Sequence, residues 1–195
     1  GMQIVKIDLS ENGLSGTPSP LLFNLPRLSQ LDLSSNPIDF NFEGIEVAKD
    51  LRTLRLSETQ VSSIRGIENS IGIQYLHLTS CHLSGSIPDE LLKLSQLRGL
   101  YLNYNQFTGR LPWEIGQLER LEELYMLRNG LSGQIPASIG NLSNLKVLAI
   151  AENKFSGTIP PEINRLENLK VLAIQGEGEG SVYSTSTEYY DVGGY

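Results

Sequence analysis

One spacing recurs along almost the whole chain and restricts its fold more than any other feature. A large aliphatic residue is followed by a second three residues later, by a third two residues after that, and by an asparagine three residues further on. The clearest copy contains Leu121, Leu124, Met126, Asn129 and Leu131, and the next begins 24 residues later at Leu145. A period of this length predicts stacked repeats rather than a globular domain. The other copies start at Ile4, Leu28, Leu51, Ile73, Leu97 and Leu169, which gives eight units.

The spacing also predicts how each unit folds. Alternate side chains of a strand share one face, so the second and third aliphatic residues point inward together. The asparagine follows where the chain must turn, and its amide can bond backbone groups that stacking would bury without partners. A single unit cannot bury its aliphatic residues alone. Stacked units gain about 1.5 to 3 kcal/mol for each buried aliphatic side chain, which is sufficient for a continuous core.

Four units carry a further signature after the asparagine position: LSGSIP (83–88), FTGRLP (107–112), LSGQIP (131–136) and FSGTIP (155–160). These motifs resemble the plant-type subclass of leucine-rich repeats, LxxLxLxxNxLSGxIP. The resemblance implies an α/β fold: a right-handed solenoid with a parallel concave sheet and a convex side of 3₁₀ turns and short helices. It covers residues 1–176, about eight repeats. Residues 39–50 and 62–72 depart from the signature, so we expect differently shaped convex segments there, with a helical turn around 46–50.

Composition excludes several classes of function. The formal charge is -7, of which residues 177–195 contribute four acids and no base, leaving -3 for the repeats. Binding to nucleic acid needs a basic face that neutralises phosphates, so an acidic body argues against it. No apolar run approaches the 18 residues of a membrane span, and we expect no membrane insertion.

The chain leaves its compartment open. Its start shows neither a basic segment nor an apolar stretch of the kind found in secretory signals. Cys81 is the one cysteine and cannot form an internal disulfide, whereas extracellular plant relatives usually close their ends with disulfide-bonded caps. Both an intracellular protein and a central fragment of an extracellular one fit these facts.

The exposed strand positions predict a binding surface. The column between the second and third aliphatic residues reads Asp8, Asp32, Arg55, His77, Tyr101, Tyr125, Ala149 and Ala173. Neighbouring strands of a parallel sheet lie about 4.8 Å apart, so the rings of repeats four to six should form one patch. Tyrosine and arginine dominate interface energetics. The alternative is that these tyrosines stack only for local stability. The expected partner-binding residues are Arg55, Tyr75, His77, Tyr101, Asn103, Tyr104, Tyr125 and Arg128.

We therefore expect a non-catalytic recognition module for a protein or peptide on the concave face, with no cofactor. A resemblance to plant polygalacturonase inhibitors would instead imply recognition of carbohydrate or a cell-wall enzyme, and a fragment of a receptor ectodomain is a further alternative. Catalysis has little support because Glu122 and Glu123 are adjacent on a strand and face opposite ways. His77, His82 and Cys81 lack the spacing of metal ligands, so no metal is expected.

Three local expectations complete the sequence analysis. Thr59 and Cys81 replace asparagine in repeats three and four, which predicts a more pliable first half. Trp113 is expected to pack against the neighbouring unit. The small apolar residues around Ala149 are expected to be exposed and to contact the chain's own tail, residues 177–195, which acts as a cap or remains a disordered acidic segment.

Overall fold

The computed structural model describes residues 3–174, and the expectations for residues 177–195 lie outside the described residues. Each repeat begins with a three-residue strand whose central residue is the second aliphatic of the pattern, as in Glu123–Tyr125 with Leu124 at its centre. The strands are β1 Lys6–Asp8, β2 Gln30–Asp32, β3 Asp39–Phe40, β4 Thr53–Arg55, β5 Gln60–Val61, β6 Tyr75–His77, β7 Ser84–Gly85, β8 Gly99–Tyr101, β9 Gln106–Arg110, β10 Glu123–Tyr125, β11 Gly130–Gly133, β12 Val147–Ala149, β13 Lys154–Phe155 and β14 Val171–Ala173.

One long parallel sheet runs through all the repeats. Its order is β1-β2-β4-β6-β8-β10-β12-β14, so each strand pairs with the corresponding strand of the next repeat. The register keeps equivalent positions side by side, and Leu124 lies between Leu100 and Leu148. This sheet confirms the predicted solenoid and its concave parallel sheet. A second, four-stranded sheet, β13-β11-β9-β7, comes from the residues that follow the asparagine position and lead into the Gly-x-Ile-Pro segments, and β3 pairs with β5 alone.

The convex side consists of short helices, as the resemblance implied. In repeats five and six Pro112 and Pro136 precede the helix in extended conformation, whereas left-handed Gly44 and Gly66 take this position in repeats two and three. The expected helical turn around 46–50 is present one residue earlier. The convex helices are the 3₁₀ helices Pro20–Asn24, Ile45–Val47, Ile67–Asn69, Trp113–Gln117, Ala137–Asn141 and Pro161–Arg165, and the α-helix α1, Asp89–Leu92.

The core is a single stack of aliphatic and phenylalanine side chains between the long sheet and the convex helices. One expectation about the surface was wrong and one stays a prediction. Trp113 stands at the start of its helix and is 62% exposed, and packing of its ring against the neighbouring unit stays a prediction. The small apolar end of the concave face is not an exposed patch, because Ala149 and Ala151 are only 3% and 1% exposed.

The asparagine side chains bond buried backbone groups beneath the strand ends, as predicted. We call this row of hydrogen-bonded side chains the ladder. Asn105 Oδ1 accepts the backbone N–H groups of Cys81 and Leu83, each at 3.0 Å. Its Nδ2 donates to the carbonyls of Leu78 at 2.7 Å and Leu102 at 3.0 Å. One side chain therefore satisfies buried backbone groups of two repeats. Asn36, Asn129 and Asn153 make equivalent bonds.

Thr59 and Cys81 make fewer bonds in the same slot. Thr59 Oγ1 donates to the Leu56 carbonyl of its own repeat at 2.7 Å. The Cys81 thiol donates to the same carbonyl at 3.0 Å, and burial raises the pKa of that thiol to about 11. Within residues 3–174 the Thr59 hydroxyl makes no bond to the preceding repeat, and Cys81 interacts with Thr59 and Glu58 of its preceding repeat only through its weakly bonding sulfur. The greater pliability of the first half stays a prediction.

Two glycines let successive convex helices approach closely. A Cβ on Gly116 would lie 2.4 Å from the Ser138 carbonyl oxygen, and one on Gly140 would lie 2.5 Å from the Glu162 carbonyl oxygen. Both obstacles are backbone atoms of the next helix, which cannot swing aside as a side chain does. The spacing between repeats on the convex side therefore depends on these two glycines.

Ser70 is a local defect of the third repeat. Its hydroxyl is buried and is the one buried side-chain oxygen without a hydrogen-bond partner in the described part of the chain. The repeats on either side place Ala48 and Leu94 at the corresponding point of the convex turn. We expect Ser70→Ala to raise the free energy of unfolding by about 1 kcal/mol, because it removes a buried unpaired hydroxyl. Urea denaturation measures the change, with exposed Ser63→Ala as control, and a loss of stability in Ser70→Ala would contradict the assignment.

Candidate partner-binding surface

Three aromatic side chains stand in register on adjacent strands of the long sheet. His77 on β6 lies opposite Tyr101 on β8, which lies opposite Tyr125 on β10. The His77 and Tyr101 rings are stacked with centroids 4.0 Å apart and planes 8° from parallel. Tyr101 and Tyr125 are stacked at 5.2 Å and 12°. We call His77, Tyr101 and Tyr125 the ring stack, and all three are half-buried.

Gly99 lets the central ring lie low over the sheet. A Cβ at this position would be 2.8 Å from Tyr101 Cε2 and 2.8 Å from Tyr75 Cδ1, so both rings cover the space above the glycine. The Tyr101 hydroxyl donates to Glu123 Oε2 at 2.5 Å and is fixed there. Sequence reasoning missed both Gly99 and this bond. The available signal was that Gly99 is the one glycine at the first strand position among the eight repeats.

Arg55 borders the ring stack on the side of the earlier repeats. It lies opposite His77 in the register of β4 and β6 and is half-buried. Its side chain has no hydrogen bond or ion pair with any residue between 3 and 174. Asp32, its neighbour on β2, instead accepts the Ser34 N–H at 3.0 Å. Arg55 therefore presents a guanidinium that no residue between 3 and 174 engages through a hydrogen bond or ion pair.

Tyr104 and Arg128 form a rim beside the ring stack, at the turn after the strands. Both residues adopt left-handed backbone conformations, with φ of 55° and 52°. The Arg128 Cζ lies 5.2 Å from the centroid of the Tyr104 ring, and its guanidinium also pairs with Glu152. Tyr104 is 49% exposed, which makes it the most accessible tyrosine among the expected site residues.

Asn103 differs from the other expected site residues. It is only 6% exposed, and its Oδ1 accepts the Leu127 N–H at 2.8 Å. Its side chain thus joins two repeats beneath the surface. The structure brings Arg55, Tyr75, His77, Tyr101, Tyr104, Tyr125 and Arg128 onto one side of the molecule and places Asn103 in the frame below them.

The ring stack is uncharged at neutral pH. Burial, with a smaller contribution from the Arg55 charge, lowers the pKa of His77 from 6.5 to about 3. Burial and the hydrogen bond to Glu123 raise the pKa of Tyr101, and burial raises that of Tyr125. The surface therefore offers three neutral rings between two arginines, Arg55 and Arg128.

The low pKa of His77 predicts a dependence of stability on pH. Between pH 3 and pH 6.5 the unfolded chain binds the imidazole proton more readily, so this contribution to stability is complete above pH 6.5 and falls as the pH drops. From pH 7 to pH 5 the wild-type protein should lose about 2 kcal/mol more than His77→Phe, which keeps a flat ring but cannot titrate. Urea denaturation at the two pH values measures the difference. Exposed His82→Gln should follow the wild type, and equal losses in wild type and His77→Phe would contradict the prediction.

The two adjacent acids where β10 begins, Glu122 and Glu123, have structural partners. Glu122 pairs with Arg98 and with Lys146 Nζ, the latter at 2.5 Å, and chiefly the Lys146 bond lowers the pKa of this carboxyl. Glu123 accepts the bond from Tyr101, so the two acids face different neighbours. Within residues 3–174 no three His, Cys, Asp or Glu side chains cluster closely enough to hold a metal ion. A search of the same residues finds no helix with the length and apolar character needed to cross a membrane.

Comparison with known proteins places this fold in a family. The family described as leucine-rich repeat region matches residues 45–188, and a single leucine-rich repeat also matches residues 3–25. Receptor-like protein 6 of Arabidopsis thaliana is 34% identical over 118 residues, which cover 53% of this chain and 12% of that protein.

Solved structures agree with the sequence match. The Arabidopsis receptor kinase HAESA, in complex with the peptide hormone IDA and the co-receptor SERK1, is 39% identical with a TM-score of 0.76, over 86% of this chain and 28% of that chain. The plant peptide hormone receptor RGFR1, in complex with RGF2, is 28% identical with a TM-score of 0.77, over 86% and 27%. The chain thus spans less than a third of each of these three relatives. It is a member of the leucine-rich repeat family, and its fold is one that plant receptors share.

Proposed function

We propose that this chain is a non-catalytic recognition module that binds a protein or peptide partner on its concave face, with the ring stack at the centre of the site. The observation that carries the proposal is the stack itself: three half-buried neutral rings in register on β6, β8 and β10. Aromatic side chains supply large contact area with few rotatable bonds, so they are enriched where proteins bind one another.

The rings are already held in position before any partner arrives. The Tyr101 hydroxyl is tied to Glu123, and its two ring faces are covered by His77 and Tyr125. Groups that are fixed in advance lose little conformational entropy when they bind. The stack therefore has the rigidity of a binding centre.

Polar groups flank the rings on both sides. Arg55 supplies a guanidinium without a partner among the described residues, and Tyr104 forms an exposed rim with Arg128. A largely apolar centre surrounded by polar, accessible groups is the usual anatomy of a protein interface. Two relatives in complex with peptide hormones, HAESA with IDA and RGFR1 with RGF2, add support for a peptide partner. A fragment of a receptor ectodomain is the alternative function, and the plant receptors among the relatives favour it over recognition of carbohydrate.

The stacking geometry makes carbohydrate the weaker candidate. A sugar ring packs against an open aromatic face, but both faces of Tyr101 are occupied and one face each of His77 and Tyr125 is covered. A partner meets ring edges and hydroxyl groups instead. These suit the mixed apolar and hydrogen-bonding surface of a peptide or protein.

Panning a displayed library of random 12-residue peptides against the intact protein tests the proposal. We expect the enriched peptides to bind Tyr101→Ala/Tyr125→Ala at least about tenfold more weakly, which corresponds to a loss of about 1.4 kcal/mol. Trp113→Ala removes an exposed aromatic from the convex side and serves as the matched control. Circular dichroism and urea denaturation verify that both variants fold. Peptides that lose affinity for Trp113→Ala alone, or a library that yields no binder, would contradict the proposal.

A further inference from the structure

We propose that the boundary between the third and fourth repeats is a hinge in the solenoid, and that its opening sets the curvature of the concave surface. We call this boundary the seam and define it by Thr59, β5, β7 and Cys81. The hinge itself follows from the packing of the described residues. Its consequence for binding rests on the proposed function.

The asparagine ladder is interrupted at the seam. Where an asparagine is present, it joins two repeats through both its oxygen and its nitrogen, as Asn105 does with Cys81, Leu83 and Leu78. Thr59, in the preceding slot, bonds only its own repeat. Cys81 occupies this slot at the seam and contributes one thiol bond, at 3.0 Å to the Leu56 carbonyl. A thiol is a weak donor and a weak acceptor, so this bond and the contacts of the sulfur with Thr59 and Glu58 of repeat three are weaker than the amide bonds of an asparagine. The side-chain link across the seam is therefore made by sulfur alone.

The second sheet is interrupted at the same place. Strands β7, β9, β11 and β13 form one ladder and β3 pairs with β5, but within residues 3–174 β5 and β7 do not pair. At the next boundary, by contrast, Gln106 N–H donates to the Leu83 carbonyl at 2.7 Å. Among residues 3–174, no backbone hydrogen bond of the second sheet crosses the seam. The boundary between repeats two and three keeps such bonds, through Gln60 N–H to the Ile38 carbonyl at 3.0 Å.

The convex packing also changes at the seam. Repeat three has 22 residues rather than 24, contains the unpaired buried hydroxyl of Ser70, and ends its convex side with the 3₁₀ helix Ile67–Asn69. Repeat four replaces that element with the α-helix Asp89–Leu92. Buried Leu92 stands where the next two repeats have the glycines that allow close helix stacking. The convex elements on the two sides of the seam therefore differ in shape, whereas repeats five, six and seven all carry 3₁₀ helices of five residues.

The long concave sheet continues without interruption across the seam. β4 and β6 pair in register, and Leu56 N–H donates to the His77 carbonyl at 2.9 Å. Leu56 and Leu78 are fully buried on either side of the boundary. A boundary that is bonded along one side and weakly joined along the others moves by rotation about its bonded side. The axis of that rotation is the β4–β6 pair.

The seam crosses the candidate partner-binding surface. Arg55 belongs to the half before the seam, whereas the ring stack and the Tyr104–Arg128 rim belong to the half after it. Rotation about the β4–β6 pair changes the distance between the Arg55 guanidinium and the rings without disturbing the rings themselves. A partner that engages both halves selects one curvature from those that the seam permits.

Hydrogen exchange on the unliganded protein tests the hinge. Backbone amides of residues 84–86 should exchange at least about tenfold faster than those of residues 108–110, their counterparts one repeat later. The double variant Thr59→Asn/Cys81→Asn should slow exchange at residues 84–86 by restoring ladder bonds. Equal exchange of the two segments, or no slowing in a folded double variant, would overturn the proposal.

Spin-label distances give a second measurement. Labels at Gln60→Cys and Ser84→Cys span the seam, whereas labels at Ser84→Cys and Gln106→Cys span the paired strands β7 and β9. Native Cys81 is buried with its pKa raised to about 11, so it resists labelling in the folded protein. We expect a broader distance distribution across the seam, and equally narrow distributions would overturn the proposal. Because neither experiment uses a partner, failure of the peptide panning leaves these results unchanged, and a rigid seam leaves the proposed binding site unchanged.

Discussion

Replacing Asn105 by alanine should cost about 3 to 5 kcal/mol of unfolding free energy, the largest effect we expect from any single polar side chain of the chain. The substitution leaves the N–H groups of Cys81 and Leu83 and the carbonyls of Leu78 and Leu102 without their side-chain partner in a buried position. Each such group costs about 1 to 3 kcal/mol when it is left unpaired. Urea denaturation followed by far-ultraviolet circular dichroism measures the loss.

The matched control occupies the same slot two repeats earlier. Thr59→Ala removes a single bond to the Leu56 carbonyl, so it should cost only about 1 kcal/mol. The difference between the two variants measures what the asparagine adds beyond filling space. Equal losses at the two positions would contradict the account of the ladder.

Gly140→Ala is the second substitution with a large expected effect. The added Cβ would meet the Glu162 carbonyl oxygen at 2.5 Å and the Glu162 carbonyl carbon at 3.0 Å, so the helix Pro161–Arg165 has to move away. Overpacking against backbone costs about 2 to 4 kcal/mol, because the last repeat must separate from its neighbour. Thermal and urea unfolding both report the change.

Asn164 provides the control for this substitution. It occupies the position equivalent to Gly140 one repeat later and is exposed. Asn164→Ala should therefore change the unfolding free energy by less than about 0.5 kcal/mol. If Gly140→Ala were as mild as this control, close helix stacking would not set the spacing of the repeats.

The repeat spacing predicted the fold because each of its positions has one structural role. The aliphatic residues at Leu121, Leu124 and Met126 became fully buried core, and Asn129 became a rung of the ladder. Nothing in this reasoning depends on partners distant in sequence, since every unit packs on the next. That is why the stacked strands could be expected from the spacing, whereas the short convex helices were implied by the resemblance to plant-type leucine-rich repeats.

The contacts and exposure of the surface side chains could not be predicted from the repeat spacing in the same way. The column His77, Tyr101, Tyr125 was predictable from register, but not that the Tyr101 ring would occupy the space above Gly99 and its hydroxyl bond Glu123. The solvent exposure of individual side chains was harder still to predict from the sequence. Ala149 proved buried because it is small beside larger neighbours, whereas Trp113 stands out into solvent although large apolar residues are usually covered.

The interruption of the second sheet is another feature that spacing alone did not reveal. Thr59 and Cys81 in place of asparagine predicted fewer side-chain bonds between repeats. The absence of pairing between β5 and β7 among the described residues depends instead on the shorter third repeat and its different convex turn. Local pattern predicts the elements. The fit between two unlike repeats is decided by packing.

The most direct test of the binding surface is to map where a selected peptide protects the protein from hydrogen exchange. The account predicts slower exchange at residues 75–77, 99–101 and 123–125, the strands that carry the ring stack, and no change in the convex helix Trp113–Gln117. Protection confined to that helix, or to the second sheet, would contradict the assignment of the concave face as the site of recognition.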